Sequence, residues 1–314
     1  MLKWFTIHLN KHSHLTTLKK LSALVEIARK KSVKKLVIAA AEDEQVFIAA
    51  IKAKNENIIS PVFIGEQEKI NGLATGLNIN PSELEIIDNK DQAVSCDIAF
   101  QLINEGKADI IMKGLVNSST FLKSLLNKRY GLVKDSILSH LAVFETPYYS
   151  KLLGVTDAAM NISPGIRDKA EIIRNAVRAY HKLGVSCPKV AILAATERIN
   201  PKIKATVHAA KLKMMNSRRQ IENCIIDGPL ALDNAISKSA ARHKNIESEV
   251  AGDVDILLTP DLNSGNILYK SLNFLGGAVS AAILLGASVP VVLTSRSDSG
   301  QSKFMSIAFA AAIN

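Results

Sequence analysis

The chain has 314 residues, of which 47% are apolar, and a net charge of +10. This length corresponds to about two domains of roughly 150 residues, with enough apolar side chains for real cores. Residues 1–35 account for +8 of the net charge, so the rest of the chain is almost neutral and has no basic stripe of the kind that binds nucleic acid. We interpret the basic segment as a solvated helix face and expect no nucleic-acid partner.

The three cysteines, Cys96, Cys187 and Cys224, are scattered and lack CxxC spacing. This pattern argues against a disulfide framework and against a zinc site, so we expect a reducing compartment, the cytoplasm. The apolar stretch near the N-terminus is too short for a signal peptide, and we expect no export. The weakly polar run 276–293 is broken by Pro290, which argues against a membrane span of about 20 residues. We interpret this run as a buried helix followed by a buried strand.

Short β-branched runs alternate with helical patterns along most of the chain, which predicts βαβ units in mainly parallel sheets. The predicted strands are, in chain order, KKLVIAAA (34–41), PVFIG (61–65), LEIID (84–88), ADIIMKG (108–114), KLLGVTDA (151–158), PKVAILAA (188–195), NCIIDGP (223–229), VDILLTP (254–260) and PVVLTS (290–295). The spacing of apolar residues predicts helices over 44–56, 91–105, 167–183, 201–216 and 300–312.

Polar residues follow several of these runs, at the carboxyl ends of strands where open parallel sheets bind their ligands. The candidates are Lys113, Gly114, Ser139, His140, Asn161, Gly265, Asn266, Ser295, Arg296 and Asp298. An arginine offers a planar fork for phosphate oxygens, and a lysine is a compact cation that can accompany it. Gly265 would let a ligand approach the N-terminus of a helix that Asn263 or Ser264 would cap. We therefore expect these strand-end residues to meet at one edge of the sheet and to bind an anion.

Three of the candidates also have a purely structural explanation. Arg296 could be a salt-bridge partner, Asp298 could cap the helix that follows it, and His140 has a positioning role at most. Cys224 sits in an apolar strand and is expected to be inert. There is no GxxxxGK[ST], GxGxxG or HExxH pattern, so a P-loop, a standard dinucleotide site and a metal site are not indicated.

As a set, seven segments resemble the phosphate acetyltransferase and phosphate butyryltransferase family, from about Lys35 to the C-terminus. They are IIMKGLV, ILSHLAVFETP, VTDAAMNISP, PKVAILAATE, IIDGPLALDNAIS, VAGDVDILLTPDLNSGN and VVLTSRSDS. Three segments, AAAEDE at 39–44, TDAAMNI and LTSRSDS, are more similar in sequence to the butyryl branch than to the acetyl branch.

The resemblance implies an α/β fold like that of isocitrate and isopropylmalate dehydrogenases, with two domains and the active site in the cleft between them. The implied domains are 1–143 plus 284–314, and 144–283. It also implies reversible transfer of a short acyl group, butyryl or acetyl, from acyl-CoA to inorganic phosphate, giving acyl phosphate. Coenzyme A is then a substrate, no cofactor or metal is needed, and the assembly is a homodimer or a larger homo-oligomer.

In the family a Ser-Arg pair lines the acyl-transfer site, which corresponds here to Ser295 and Arg296. The arginine would hold phosphate, and the hydroxyl would steady the polarised carbonyl. A base must take the proton of the CoA thiol, and the acetyl branch uses an aspartate at the position of Ser302 in this chain. The base is then Asp298, another group, or the field of Arg296 and Lys113 acting on the thiol directly. We favour Asp298, and expect the other seven strand-end residues to bind substrate.

Two other functions remain open on the sequence alone. One is a relative with the same architecture that oxidises a hydroxy compound with NAD or NADP, and the other is a non-catalytic protein that binds CoA or acyl phosphate. The preferred acyl length is also open, because one methylene changes binding by only about 1–3 kcal/mol.

Overall fold

A computed structural model describes residues 18–133, 137–295 and 297–314. Within these ranges eleven strands form one continuous sheet. The strands are β1 (Lys34–Ala39), β2 (Ile59–Gly65), β3 (Glu85–Asp88), β4 (Ile110–Lys113), β5 (Ser139–Glu145), β6 (Leu153–Thr156), β7 (Lys189–Leu193), β8 (Ile225–Leu230), β9 (Ile256–Leu258), β10 (Val279–Leu285) and β11 (Val291–Val292).

The helices of the described ranges lie between these strands and after the last one. They are α1 (Ser22–Arg29), α2 (Glu44–Asn55), α3 (Gln67–Gly76), α4 (Gln92–Asn104), α5 (Ser118–Leu125), α6 (Ile166–Lys182), α7 (Lys204–Ser217), α8 (Leu232–Ile236), α9 (Lys238–His243), α10 (Leu262–Phe274) and α11 (Gly300–Ile313). The nine predicted strands and the five helices predicted from apolar spacing are present, with ends shifted by a few residues.

The strand order is β3-β2-β1-β4-β11-β10-β5-β6-β9-β7-β8. Both flanks of the sheet are parallel, whereas the three central pairings, β11 with β10, β10 with β5 and β5 with β6, are antiparallel. The α/β class with mainly parallel strands is therefore confirmed. Because three antiparallel pairings separate β11 from β6, the two parallel groups run in opposite directions. The expectation that the polar residues at the strand ends of both groups lie at one edge of the sheet is therefore wrong.

The interpretation of the run 276–293 as a helix followed by a strand is also wrong in its first half. Val279–Leu285 is strand β10, which pairs with β5 along its whole length and turns back into β11. A short run that is apolar on both faces has no periodicity that separates a buried strand from a buried helix. Pairing with β5 on one side and with β11 on the other decided its structure.

Helices cover both faces of the sheet, so the central strands are buried on both sides. Along β5, Leu141 and Val143 belong to the apolar cluster that includes α6 and α11, while Ala142 and Phe144 belong to the cluster that includes Tyr269 of α10. This alternation is the period of two expected for a strand. It places Ser139 on the α6 face and His140 on the α10 face.

Ser139 and His140 begin β5 rather than follow a strand as expected. The implied domain boundaries fall within β5 and β10, the two antiparallel strands at the centre of the sheet. The division into 1–143 plus 284–314 and 144–283 stays a prediction. In the described part of the chain, no helix has both the length and the apolar character that a membrane span requires.

Candidate active site

A cavity of about 260 Å³ lies on the α10 face of the sheet, where the two oppositely directed halves meet. Five segments line it, namely the start of α5, the start of β5, the turn after β6, α10 and the loop after β11. The lining residues are Ser118, Leu122, His140, Ala158, Ala159, Met160, Asn266, Tyr269, Lys270, Leu293, Thr294, Ser295 and Asp298. Four residues that the sequence singled out, His140, Asn266, Ser295 and Asp298, are thus brought together.

The loop after β11 is held by its own carboxylate and by a buried cation. Asp298 Oδ2 accepts a hydrogen bond from the backbone N–H of Ser295 at 2.8 Å. From below, Lys303 Nζ donates to the carbonyl oxygens of Asp298 at 2.7 Å and of Ser295 at 3.3 Å. Lys303 is only 2% exposed. The loop is therefore braced on both sides while the Ser295 side chain stays exposed to the cavity. Arg296 lies outside the described residues.

The alternative in which Asp298 caps the last helix is wrong. The cap of α11 is Ser299, whose hydroxyl accepts from the backbone N–H of Ser302 at 3.1 Å. The hydroxyl of Ser299 also donates to the hydroxyl of Ser302 at 3.2 Å. The side chain at the position of the acetyl-branch base is thus part of a helix cap, and Asp298 is left facing the cavity.

Tyr269 connects Asp298 to the ring of His140. Its hydroxyl donates to both carboxylate oxygens of Asp298 at 3.4 Å, and its ring lies edge-on to His140, with centroids 5.7 Å apart. Burial, and then the nearby Asp298 carboxylate, raise the pKa of Tyr269 to about 12. The phenol is therefore a neutral donor at physiological pH, and its contact with Asp298 is long and weak.

His140 lines the cavity and has a buried ring. It is 5% exposed, and its Nδ1 is buried without a hydrogen-bond partner among the described residues. Burial lowers the pKa of His140, although the carboxylates of Asp157 and Asp298 act in the opposite direction. A buried polar atom without a partner is costly, so this nitrogen suits a contact with a bound molecule.

Asp157 organises the turn after β6 on the other wall of the cavity. Its carboxylate accepts from the backbone N–H groups of His140, Ala159, Met160 and Asn161 and from the side-chain amide of Asn161. The same amide also donates to the carbonyl of Leu138 at 2.8 Å. The side chain of Asn161 is therefore engaged in holding the turn and does not line the cavity.

Gly265 explains how α10 reaches this turn. A Cβ at this position would lie 2.5 Å from the carbonyl oxygen of Asp157 and 2.7 Å from Thr259 Oγ1. The close approach that the glycine allows is made by the chain itself, and not by a ligand as the sequence suggested. The expected caps, Asn263 and Ser264, lie inside the helix, and Asp261 is the N-cap, accepting from the N–H of Ser264 at 2.9 Å.

The remaining predicted residues lie outside the lining of the cavity. Lys113 is 5% exposed, and its Nζ donates to the carbonyls of Gly114 and Val116 at 3.0 Å each. Gly114 passes so close to Ala40 that a Cβ would meet its carbonyl oxygen at 2.0 Å. The hydroxyl of Ser139 accepts from the amide of Asn175 on the opposite face of the sheet. These residues position β4 and β5, and α5, which follows β4, carries Ser118 and Leu122 into the cavity.

Sequence reasoning missed several residues of this region, namely Ser118, Met160, Tyr269, Lys270 and Lys303. Tyr269 and Lys270 had a usable signal, because they follow Asn266 by three and four residues and so share its side of a helix. Lys303 had none, since a lysine inside an apolar helix is not ordinarily 2% exposed.

Neither a metal cluster nor a reactive thiol stands out in the described ranges. No group of three or more His, Cys, Asp or Glu residues there is arranged to hold a metal ion. Burial raises the pKa of both Cys96 and Cys224 to about 12, so both thiols stay protonated. The expectation that Cys224 is inert agrees with this environment.

Comparisons with known proteins agree with the resemblance seen in the sequence. Residues 20–99 and 93–311 match the family model described as phosphate acetyl/butaryl transferase. A phosphate butyryltransferase from Clostridium acetobutylicum is 42% identical over 296 residues, which cover 94% of this chain and 98% of the relative. A phosphate acetyltransferase from Thermotoga maritima is 42% identical over 291 residues, which cover 93% and 98%.

A solved structure agrees with both the fold and the family. The crystal structure of a branched-chain phosphotransacylase from Enterococcus faecalis V583 superposes with a TM-score of 0.80 and 34% sequence identity, covering 90% of this chain and 99% of that one. The α/β fold class that the resemblance implied is thereby confirmed. The chain belongs to the phosphate acetyl/butaryl transferase family and is an acyltransferase.

Proposed function

We propose that this acyltransferase moves a short acyl group reversibly between coenzyme A and inorganic phosphate in the cavity beside Asp298. The observation that carries the assignment to this cavity is the convergence of three segments. Ser295 and Asp298, which follow β11, meet His140 at the start of β5, next to the turn after β6, which belongs to the oppositely directed half of the sheet. The carboxylate of Asp298 has one short contact and two long ones, so it has room for a proton.

In the direction from acyl phosphate to acyl-CoA, the thiol of coenzyme A loses its proton to the carboxylate of Asp298. The sulfur then attacks the acyl carbonyl, and the carbon–oxygen bond to phosphate breaks as the carbon–sulfur bond forms. Inorganic phosphate leaves with the bonding electron pair. In the opposite direction a phosphate oxygen attacks the thioester, and the departing thiolate recovers the proton from Asp298.

The neighbouring residues stabilise the charges that develop in this reaction. The exposed hydroxyl of Ser295 donates to the carbonyl oxygen as it gains negative charge. Arg296 holds the phosphate oxygens, the role that the family pattern gives it. The amide of Asn266 and the Nδ1 of His140 supply further polar contacts to the bound substrate.

The acyl chain packs on the apolar part of the same cavity, against Leu122, Met160 and Leu293. This apolar lining, together with the sequence segments that resemble the butyryl branch, favours butyryl over acetyl as the preferred acyl group. Each buried methylene contributes about 0.8 kcal/mol, so two of them favour butyryl-CoA by roughly tenfold.

Coenzyme A is a substrate in this reaction, and no resident cofactor or metal is needed. We also propose that the protein works in the cytoplasm as a homodimer or a larger homo-oligomer. A chelator should leave turnover unchanged, and light scattering of the purified chain should give a mass above that of one chain. A rate that collapses on chelation, or a monomer that is fully active, would contradict these two points.

The test of the function is thiol release from acyl-CoA, measured with and without inorganic phosphate for a series from acetyl-CoA to hexanoyl-CoA. Release should depend on phosphate and be fastest with butyryl-CoA. Release that is absent or independent of phosphate would overturn the proposal. A maximum at acetyl-CoA would overturn only the assignment of chain length.

A further inference from the structure

A second cavity, of about 260 Å³, lies on the α6 face of the sheet, opposite the active-site cavity. We call it the back cavity. It is enclosed by one side of α6, the hairpin between β10 and β11, and the end of α11. The lining residues are Asn175, Arg178, Ala179, Lys182, Leu284, Leu285, Gly286, Ala287, Ser288, Val289, Pro290 and Ile313. The proposed acyl transfer uses none of them.

Positive charge gathers at the rim of the back cavity. Arg178 and Lys182 project from α6 one turn apart and are exposed. Lys31, whose Nζ donates to the carbonyl of Asn314 next to Ile313, adds a third cation. Within the described ranges, no Asp or Glu lies in ion-pair distance of these three side chains.

Lys31 lies close enough to Lys182 for their charges to interact. Burial lowers the pKa of Lys31, and the nearby charges of Lys182 and Lys34 lower it further. Lys31 and Lys34 belong to the basic segment that the sequence suggested was a solvated helix face. In the structure they follow α1 rather than lying along it, and residues 1–17 of the segment lie outside the described residues.

Arg178 is fixed in place by a buried partner. Its guanidinium donates to Oδ1 of Asn175, which is 3% exposed. The amide of Asn175 in turn donates to the carbonyl of Ile137 and to the hydroxyl of Ser139, at 3.0 Å each. Among the described residues Asn175 is the hydrogen-bond partner of this guanidinium, which has further N–H donors that can face a ligand.

The floor of the back cavity is apolar, formed by Leu285, Val289, Pro290 and Ile313. A bare inorganic ion would leave this floor unused, whereas an apolar molecule would leave the cations unpaired. The combination of rim cations and an apolar floor therefore fits a ligand that has both an anionic group and an apolar part.

We propose that the back cavity binds a small organic oxyanion, a phosphate or carboxylate group joined to a short apolar chain. The oxyanion lies on Arg178 and Lys182, and the chain lies on the floor beside Val289 and Ile313. The site is separate from the acyl-transfer cavity, because the sheet stands between them.

The test is calorimetric titration of the full chain with butyl phosphate, which carries both parts of the ligand and has no acyl group to transfer. The unaltered protein should bind at the back cavity in addition to the active site, and Arg178→Gln/Lys182→Gln should lose one site per chain or bind there at least about tenfold more weakly. A matched control, Lys90→Gln/Lys202→Gln, removes two charges from exposed lysines that line neither cavity and should bind like the unaltered protein.

Two further measurements test whether the double variant is folded and whether both parts of the ligand contribute to binding. Turnover of Arg178→Gln/Lys182→Gln without added ligand should equal that of the unaltered protein, which shows that the variant is folded. Inorganic phosphate and butanol should each bind the back cavity more weakly than butyl phosphate. Equal stoichiometry and affinity in both double variants, or an equal loss in both, would overturn the proposal.

Discussion

Two aspartates stand on opposite walls of the active-site cavity and have opposite surroundings. Asp157 is 3% exposed and accepts five hydrogen bonds, four from the turn that it organises and one from the backbone N–H of His140. Asp298 is half-buried and accepts one short bond from Ser295 and two long ones from Tyr269. A carboxylate has about four acceptor positions, so Asp157 is saturated while Asp298 can still take up a proton. The comparison indicates a structural role for Asp157 and supports the chemical role that we propose for Asp298.

The sharpest test of this comparison is Asp298→Asn. The amide keeps a carbonyl oxygen for the N–H of Ser295 but cannot accept the thiol proton, so we expect turnover to fall by about 100- to 10,000-fold. The free energy of unfolding should change by less than about 1 kcal/mol. Thiol-release assays over a range of pH and urea denaturation measure the two quantities. A variant whose pH–rate profile is unchanged would mean that the base lies elsewhere.

The next largest effect on turnover is expected for substitution of Arg296. Arg296→Ala removes the cation that we propose holds phosphate, and turnover should fall by at least about 100-fold. Because the family pattern places this side chain on phosphate, Arg296→Lys should recover part of the loss. A near-normal rate for the alanine variant would rule the assignment out.

Asp157→Asn should lower stability more than turnover, which is the reverse of Asp298→Asn. The amide group replaces one accepting oxygen and leaves at least one buried backbone N–H unpaired, which lowers the free energy of unfolding by about 1–3 kcal/mol. Turnover per folded molecule should fall far less than in Asp298→Asn. If Asp157→Asn is as stable as the unaltered protein and as slow as Asp298→Asn, the two roles are not divided as described.

His140 lies between the two carboxylates and makes stability depend on pH. Its pKa in the folded protein is below the ordinary value of 6.5, so the unfolded state binds more protons as the pH falls past that value. The free energy of unfolding should therefore decrease on acidification, by up to about 1.4 kcal/mol per pH unit from this group. His140→Gln should show a shallower decrease between pH 7 and pH 5 in urea denaturation. Equal slopes for both proteins would refute the neutral, buried imidazole.

Tyr269→Phe should have the smallest effect. The hydroxyl lies 3.4 Å from both oxygens of Asp298, and a hydrogen bond of this length contributes at most about 1 kcal/mol. We expect turnover to change by less than about tenfold, with the ring still packed against Phe144 and His140. A loss as large as that of Asp298→Asn would place the phenol, rather than the carboxylate, at the centre of the chemistry.

The sequence predicted most elements correctly because their signals are local. β-branched runs such as PVFIG and helical spacing such as that of 92–104 are set within a few residues. The two strands that it did not identify, β5 and β10, are antiparallel and pair with each other. Their identity depends on residues more than a hundred positions apart, which no local pattern contains.

By itself the sequence determined the α/β class, the family motifs and four of the residues that line the active-site cavity. Only the tertiary structure decided that Ser299 caps α11 while Asp298 faces the cavity, that Asp157 fills the space beside Gly265, and that Lys303 supports the loop from below. The physical reason is that a polar side chain acquires its role from the donors and acceptors around it. In this fold those partners come from strands and helices that are distant in the chain and adjacent in space.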